Sequence, residues 1–313
     1  MAKTILRRIL STVPTLLGVA TLIFVLVRVI PGDPAVVMLG DYATPELVAH
    51  LRRELGLDQP LLLQYLNYLR QLLTGDLGAS VRSSQKVWTL ITQVLPYTLQ
   101  LTCGALLVSI LLGVTAGIVA AIKRHSWIDT IAMVAAMTGY SMPAFFLGLL
   151  MLIVFAVHLG WFPVLGAGER QGGLAQLRSL MLPVMVVGLR QAGLIARLTR
   201  SRLVEILTED YIRTAWAKGL SDRAVLLGHA MKNAAIPVVT VIGLTAGQLL
   251  GGTLVTEIVF TRPGLGRLMV EAVYARDYTM MQGLVLVWAI ALILVNLLVD
   301  LSYFYLDPRI RHA

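Results

Sequence analysis

Apolar positions in this chain come in long unbroken runs, with the charges gathered into short segments between them. A hydrocarbon core about 30 Å thick needs about 20 apolar residues in helix. Six runs read as spans: Ile9 to Ile30, Leu99 to Ala121, Thr130 to Val157, Leu180 to Ala196, Ile236 to Thr256 and Thr279 to Val299. No charge occurs between Val87 and Ile122, or between Thr130 and Gly168. The fourth run has the weakest pattern, because Arg190 interrupts it. After the third, "GWFPVLG" places Trp161 and Phe162 where an interfacial aromatic belt belongs.

Between the first two spans, Pro31 to about Val94 reads as a small structured region rather than a linker. "TPELVAHLRRELG" predicts a helix with Thr44 as N-cap, Pro45 in the first turn, Glu46 at the positive dipole end and Gly56 as stop. Leu47, Leu51 and Leu55 then share one face. "QPLLLQYLNYLRQLLTG" repeats the device, opened by Pro60 and closed by Gly75. Its apolar face suits either the membrane domain or the bilayer surface.

Composition agrees with the pattern. The chain of 313 residues is 57% hydrophobic and 14% charged, with mean hydropathy +0.79. A soluble domain has about 25% charged residues, so this is a membrane protein. Lys3, Arg7 and Arg8 precede the first run as in a signal peptide, but the run is too long and no small-residue cleavage site follows it. An uncleaved first span is expected. The net charge of +9 does not point to nucleic acid, since its basic residues cluster in short loops as cytoplasmic loops do. Lys123, Arg124, Arg197, Arg200 and Arg202 place both termini, the 123–129 loop and the 197–235 loop in the cytoplasm. Arg52, Arg53, Arg70, Arg82 and Lys86 fall in the long first external segment, where charge carries less weight. A single cysteine, Cys103, excludes a disulfide framework, and the five histidines are scattered with no HExxH. No metal or cofactor is expected.

"DYIRTAWAKGLS", Asp210 to Ser221, is compact and charged among oily neighbours. Thr208 suits the N-cap of a helix with Glu209 and Asp210 in its first turn, Lys218 in its last and Gly219 at the left-handed cap. Ile212, Ala215, Trp216 and Leu220 line one face, with Arg213 and Lys218 off it. A second short helix, about Asp222 to Asn233, is predicted before Pro237 opens the fifth span. Two readings stand here: an amphipathic connector resting on the interface, or a docking knob whose small residues let a soluble partner approach closely.

"DYIRTAWAKGLSDRAVLLGHAMKNAAIPVVTVIGL" resembles the cytoplasmic "EAA" loop of type I ABC importer permeases, and is most similar to the dipeptide, oligopeptide and nickel class. "VLVRVIPGDPA", "LGLDQPLLLQYLNYLRQLLTGDLGAS", "RLTRS" and "VFTRPGLGRLMVEAVYARDY" follow that class in order, over nearly the whole chain. The long first external segment is similar to that of the first of the two permeases in such systems. The resemblance implies a coupling helix seated in an ATPase groove, carried by Asp210, Tyr211, Arg213, Thr214, Ala215, Trp216, Lys218, Gly219 and Leu220. Arg213 stands for the glutamate of the general motif, and Trp216 stands where an arginine is usual.

It also implies partners: a second permease, two ATP-binding subunits and an external solute-binding protein, in a bacterial inner membrane. The chain has no GxxxxGK[ST], so ATP belongs to the partners. Arg190 reads either as a residue of the substrate path or as one that snorkels or faces the second permease. Glu257 and Asp300, near span ends, read as loop anchors more readily than as cargo ligands. Pro263 and Gly264 in "RPGLGRL" make either a turn before a short helix or a gating re-entrant segment.

The expected fold is all-α and polytopic, with six transmembrane helices in the type I ABC importer permease arrangement. Its regions are 1–30 as first span, 31–94 as external helical subdomain, 95–306 as the permease core with its coupling loop at 201–235, and 307–313 as a cytoplasmic tail. The expected cargo is a peptide or a related solute such as a nickel chelate or an opine. A stand-alone secondary transporter is the nearest rival, though it needs neither a docking loop nor partners. An intramembrane enzyme would need a catalytic pair at membrane depth; there is no GxSxG, no HExxH, and Asp300 stands alone.

Overall fold

A computed structural model describes residues 2–29, 33–54, 56–164 and 173–306. Pro31 and the tail at 307–313 lie outside the described residues. The described chain is helical, broken only by turns and an isolated antiparallel bridge between Ala79 and Lys86. In order come α1 (Ala2–Val29), α2 (Pro34–Leu39), α3 (Pro45–Glu54), α4 (Leu61–Leu73) and α5 (Val87–Ile122). Then follow α6 (Trp127–Ser141), α7 (Ala144–Met151), α8 (Gly173–Ile206), α9 (Asp210–Ala217), α10 (Asp222–Ala224), α11 (Met231–Gly252), α12 (Leu254–Val259), α13 (Leu265–Tyr274) and α14 (Tyr278–Leu306).

Among the described residues five helices are long and apolar enough to cross a membrane, and the count reaches six if the bent pair of α6 with α7 is one span. That pair corrects the expectation of a single helix over Thr130 to Val157. The two halves meet at 108°. Pro143 is the cause: it lacks an N–H and pushes the preceding Met142 out of the helical region, to φ −69° and ψ 135°. Beyond the break, α7 loosens into π-type turns over Leu152–His158.

Two further boundaries differ from the sequence reading. The second short helix expected to end near Asn233 does not end. α10 runs through π-type turns at Val225–Ala230 into α11, giving one 31-residue element, Asp222–Gly252, with Pro237 inside it. The fourth span, weakest in pattern, is the most enclosed: 61% of its apolar window is buried, against 17–33% for the other four.

Small residues explain that enclosure. A Cβ at Gly193 of α8 would stand 2.2 Å from the Ala136 carbonyl oxygen, and one at Gly117 of α5 would stand 2.7 Å from that of Ala196. Within lipid there is no hydrophobic force between helices, so backbone approach of this kind is what holds them. A run of small residues lowers mean hydropathy while it raises packing.

The chain forms two compact units, Met1–Pro96 with Gly264–Ile293, and Tyr97–Pro263 with Leu294–Ala313. In the first, α1 packs on α4 through Phe24 against Tyr65 and Tyr68, at ring-centroid distances of 5.1 and 5.6 Å. Arg52 of α3 pairs with Asp33 ahead of α2 at 2.5 Å. The expected turn glycines are there: Gly56 and Gly75 have φ of +66° and +75°. The core of this unit joins Val87 and Ile91 to Leu265, Ala272, Met280 and Leu284. Asp277 ties a loop to it, accepting from Ser80 Oγ at 2.5 Å and from the Met280 N–H at 3.0 Å. In the second unit, α8 is the central helix. Its Leu182 and Val186 pack with Leu152, Ala156 and Phe260, and its Val187 with Ala105 and Leu249.

Candidate functional site

The segment from α8 to α11 is built as a knob on its own small core. Leu203 of α8, Ile212 and Ala215 of α9, Val225, Ala230 and Ala234 close together with Ala121, all of them buried. Thr208 does not cap α9; its hydroxyl turns back to the Glu205 carbonyl at 2.6 Å, and Glu209 holds the N-cap position without a side-chain bond. The helix ends as expected, with Gly219 at φ +79°. Ser221 then caps the next turn by accepting from the Ala224 N–H.

Placement of the face is the main correction. Of the expected face, Ile212 and Ala215 share one side, turned into the knob's own core with Ala215 only 6% exposed, whereas Trp216 and Leu220 are 40% exposed and do not join them. Ala215 is therefore not on the outer surface. The outward surface carries Asp210, Tyr211, Arg213, Thr214, Trp216, Lys218, Gly219 and Leu220, all exposed. Two contacts hold its aromatic residues: Trp216 Nε1 donates to Asp222 Oδ1 at 3.0 Å, and Asn233 Nδ2 donates to the Tyr211 hydroxyl at 2.8 Å. The result is a half-apolar tip on which Asp210 is loosely paired to Arg213 at 3.4 Å.

A second polar cluster lies at α12. Glu257 is fully buried, and its Oε1 accepts from the hydroxyls of Thr98 (2.8 Å) and Thr253 (3.1 Å). Arg262 is 1% exposed; its N–H donates to the Glu257 carbonyl and its Nη2 to Gln100 Oε1 at 3.2 Å. Gln176 reaches the same Gln100 oxygen at 3.1 Å. The sequence reading singled out Glu257 and passed over Arg262, whose burial no local pattern announces. The turn expected at Pro263 and Gly264 lies three residues earlier, at Phe260 and Thr261. The left-handed residue is Thr261, at φ 52°, whereas Gly264 at φ 179° is merely extended, opening α13. Arg190, half-buried in α8, belongs to neither cluster, and its Nε is buried without a hydrogen-bond partner.

The family described as binding-protein-dependent transport system inner membrane component matches residues 113–312, and the description of its N-terminal part matches residues 1–102. The chain is 44% identical over 312 residues to the glutathione transport system permease protein GsiC of Salmonella choleraesuis, covering 100% of both. It is 41% identical over 328 residues to the dipeptide transport system permease protein DppB of Alkalihalophilus pseudofirmus, covering 98% of each. Among solved structures, the inward-facing MetNI methionine ABC transporter aligns at TM-score 0.56 and 19% identity, over 70% of this chain and 97% of that one. An amino acid ABC transporter with histidines aligns at TM-score 0.53 and 14% identity, over 68% and 92%. At such identities the likeness speaks for the fold. Apolar helices, an exposed helical tip and a match running from one end to the other converge: the chain belongs to the inner membrane permeases of binding-protein-dependent ABC importers.

Proposed function

We propose that this permease imports short peptides or a close chemical relative, as the first of two permeases seated on two ATP-binding subunits and fed by an external solute-binding protein. The relatives it matches over their whole length carry glutathione and dipeptide names, which supports the cargo class. Both termini, the 123–129 loop and the knob face the cytoplasm, and the α2–α4 region faces outward; the basic short loops support that orientation. Coupling runs through the outer surface of α9. ATP-driven closure shifts the knob, and transport follows from the different affinities of the two states for cargo and partners.

The observation that carries the coupling role is the division of α9. Ile212 and Ala215 anchor it inward, while Tyr211, Trp216 and Leu220 are 40–43% exposed on a polar surface that meets no part of this chain's core. Exposed aromatics on a rigid support are what partner pockets receive. In the α12 region, Glu257, Arg262, Pro263 and Gly264 form the gate-bearing segment, with Arg190 facing the path or the second permease.

The test is Trp216→Ala with Leu220→Ala in the assembled transporter. Membrane insertion should be normal, co-purification of the ATPases weakened, and peptide uptake near background. Wild-type uptake and ATPase recovery in a well-inserted double variant would remove the coupling assignment.

A further inference from the structure

The end of α1, the length of α4, the Leu77–Gly78 segment and the first turns of α14 line a solvent-open cleft of about 180 Å³, all within the first compact unit. Leu72 and Leu77 are its aliphatic lining residues; most of the others carry hydrogen-bonding side chains. In a chain that is 57% hydrophobic this wall is exceptional. Ligand sites are ordinarily apolar with a few polar groups. A wall so rich in amides and charge suits a hydrophilic ligand and offers little to an acyl chain.

Arg28 supplies the positive pole. Its Nε and Nη2 donate to Gln64 Oε1 at 3.2 and 2.9 Å, and its Nη1 to the Phe24 carbonyl at 3.2 Å. Its Cζ lies 3.3 Å from the Phe24 ring centroid. Gln64 is itself fixed, donating to the carbonyls of Leu57 and Gln59 at 3.0 and 2.8 Å. A guanidinium has five N–H groups. Three are used, which leaves one on each Nη, and no carboxylate among the described residues pairs with the charge. A pre-oriented fork with a free N–H on each arm is the geometry that grips a carboxylate at two points.

Beside it the Tyr68 hydroxyl is buried with no hydrogen-bond partner, an expensive arrangement unless a ligand supplies the acceptor. Burial pushes its pKa up to about 12 against the opposing pull of Arg28, so at neutral pH it is a proton-bearing donor. The negative pole is Asp76, whose carboxylate accepts from the Gly78 N–H at 3.0 Å and pairs with no cation among the described residues. Gln71 and Gln282 add amides, each offering a donor and an acceptor to a peptide group.

We infer that this cleft binds a short zwitterionic peptide, its carboxylate held by Arg28 and Tyr68 and its ammonium turned toward Asp76. For the identity of the ligand the inference rests on the peptide-class reading above. An ethanolamine lipid headgroup carries the same pair of charges, and the test must tell the two apart.

The full-length chain in phosphatidylglycerol nanodiscs is titrated with trialanine and with trialanine amide, read by saturation-transfer NMR. Trialanine should bind, and its amide should bind about tenfold more weakly, equivalent to about 1.4 kcal/mol. Arg28→Gln and Tyr68→Phe should each weaken trialanine by a similar factor, and Arg28→Lys should recover part of the loss. Tyr68→Phe retains the ring that packs on Phe24, so it serves even where the arginine variants insert poorly. Absence of binding, equal binding of peptide and amide, or binding unchanged in the Tyr68 and Arg28 variants overturns the inference. Displacement of trialanine by phosphatidylethanolamine in the nanodisc also overturns it, in favour of a headgroup site. No ATPase enters the measurement, so failure here leaves the uptake reading standing, and a failure of coupling leaves peptide binding measurable.

Discussion

Arg200 grips Asp129 at two points, Nε to Oδ1 at 2.5 Å and Nη2 to Oδ2 at 2.6 Å. The carboxylate is 7% exposed and the guanidinium 28%. Asp129 also accepts the His125 N–H at 3.1 Å, and His125 adopts φ 63° to present it. One side chain thus fastens the 123–129 loop to α8, within one turn of Leu203, where the helix enters the knob.

Asp129→Asn keeps the shape and removes the charge. The expected loss is about 2 kcal/mol, the scale of a charged hydrogen bond left half made in a mostly buried site. Unfolding of the purified chain in an SDS titration reads it. Arg200→Lys should cost nearly as much, because an ammonium cannot replace a planar fork. A lysine variant as stable as wild type would show that the two-point geometry contributes nothing.

At the knob, inward and outward positions should fail differently. Ala215→Trp forces a large ring into the core formed with Ile212, Leu203 and Val225, at a cost of about 1–3 kcal/mol from overpacking. Proteolysis at the 208–221 segment should rise before any partner is added. Gly219→Val places a β-branched residue at φ +79°, a strain of about 1–3 kcal/mol, although open space surrounds the position. Protease resistance equal to wild type in both variants would contradict this packing.

Gly193 and Gly251 make a matched pair within the apolar helices. Gly193→Ala drives a methyl into the Ala136 carbonyl and should push α6 from α8, lowering the yield of folded protein in detergent. Gly251→Ala meets nothing within 4 Å and should leave the yield unchanged. Similar yields for both would sink the close approach of α6 and α8.

Orientation is read by thiol labelling in a Cys103→Ser background. Ser126 caps α6 and Gln59 accepts from Asn67, so the reporters belong at their exposed neighbours, Arg124→Cys and Asp58→Cys. In intact spheroplasts an impermeant maleimide should label Asp58→Cys and spare Arg124→Cys. Equal labelling of both would reverse the proposed topology.

Much of this protein is legible along the chain, because lipid simplifies the rules. A backbone in hydrocarbon must satisfy its own hydrogen bonds, so length and apolarity alone locate the spans. Turn chemistry is local too, and Gly56, Gly75 and Gly219 all take the positive φ expected of them. Pro143 was equally visible, but so were Pro14, Pro96, Pro183 and Pro237, which stay inside their helices. Whether a proline bends a span depends on what neighbouring helices support, and that is a tertiary matter.

The same limit separates the two faces of α9. Periodicity groups Ile212 with Ala215, but it carries no sign, and only Leu203, Val225 and Ala234 arriving from other helices turn that face inward. Arg262 shows it again. A lone arginine in a loop reads as solvated, until Gln100, brought by a distant segment, accepts from its guanidinium in the buried site. The sequence by itself determined the all-helical class, the places of the apolar runs and the family resemblance, since these follow from local composition and order. Tertiary structure alone decided which faces are surface and which polar groups meet, because both depend on contacts between residues far apart in the chain.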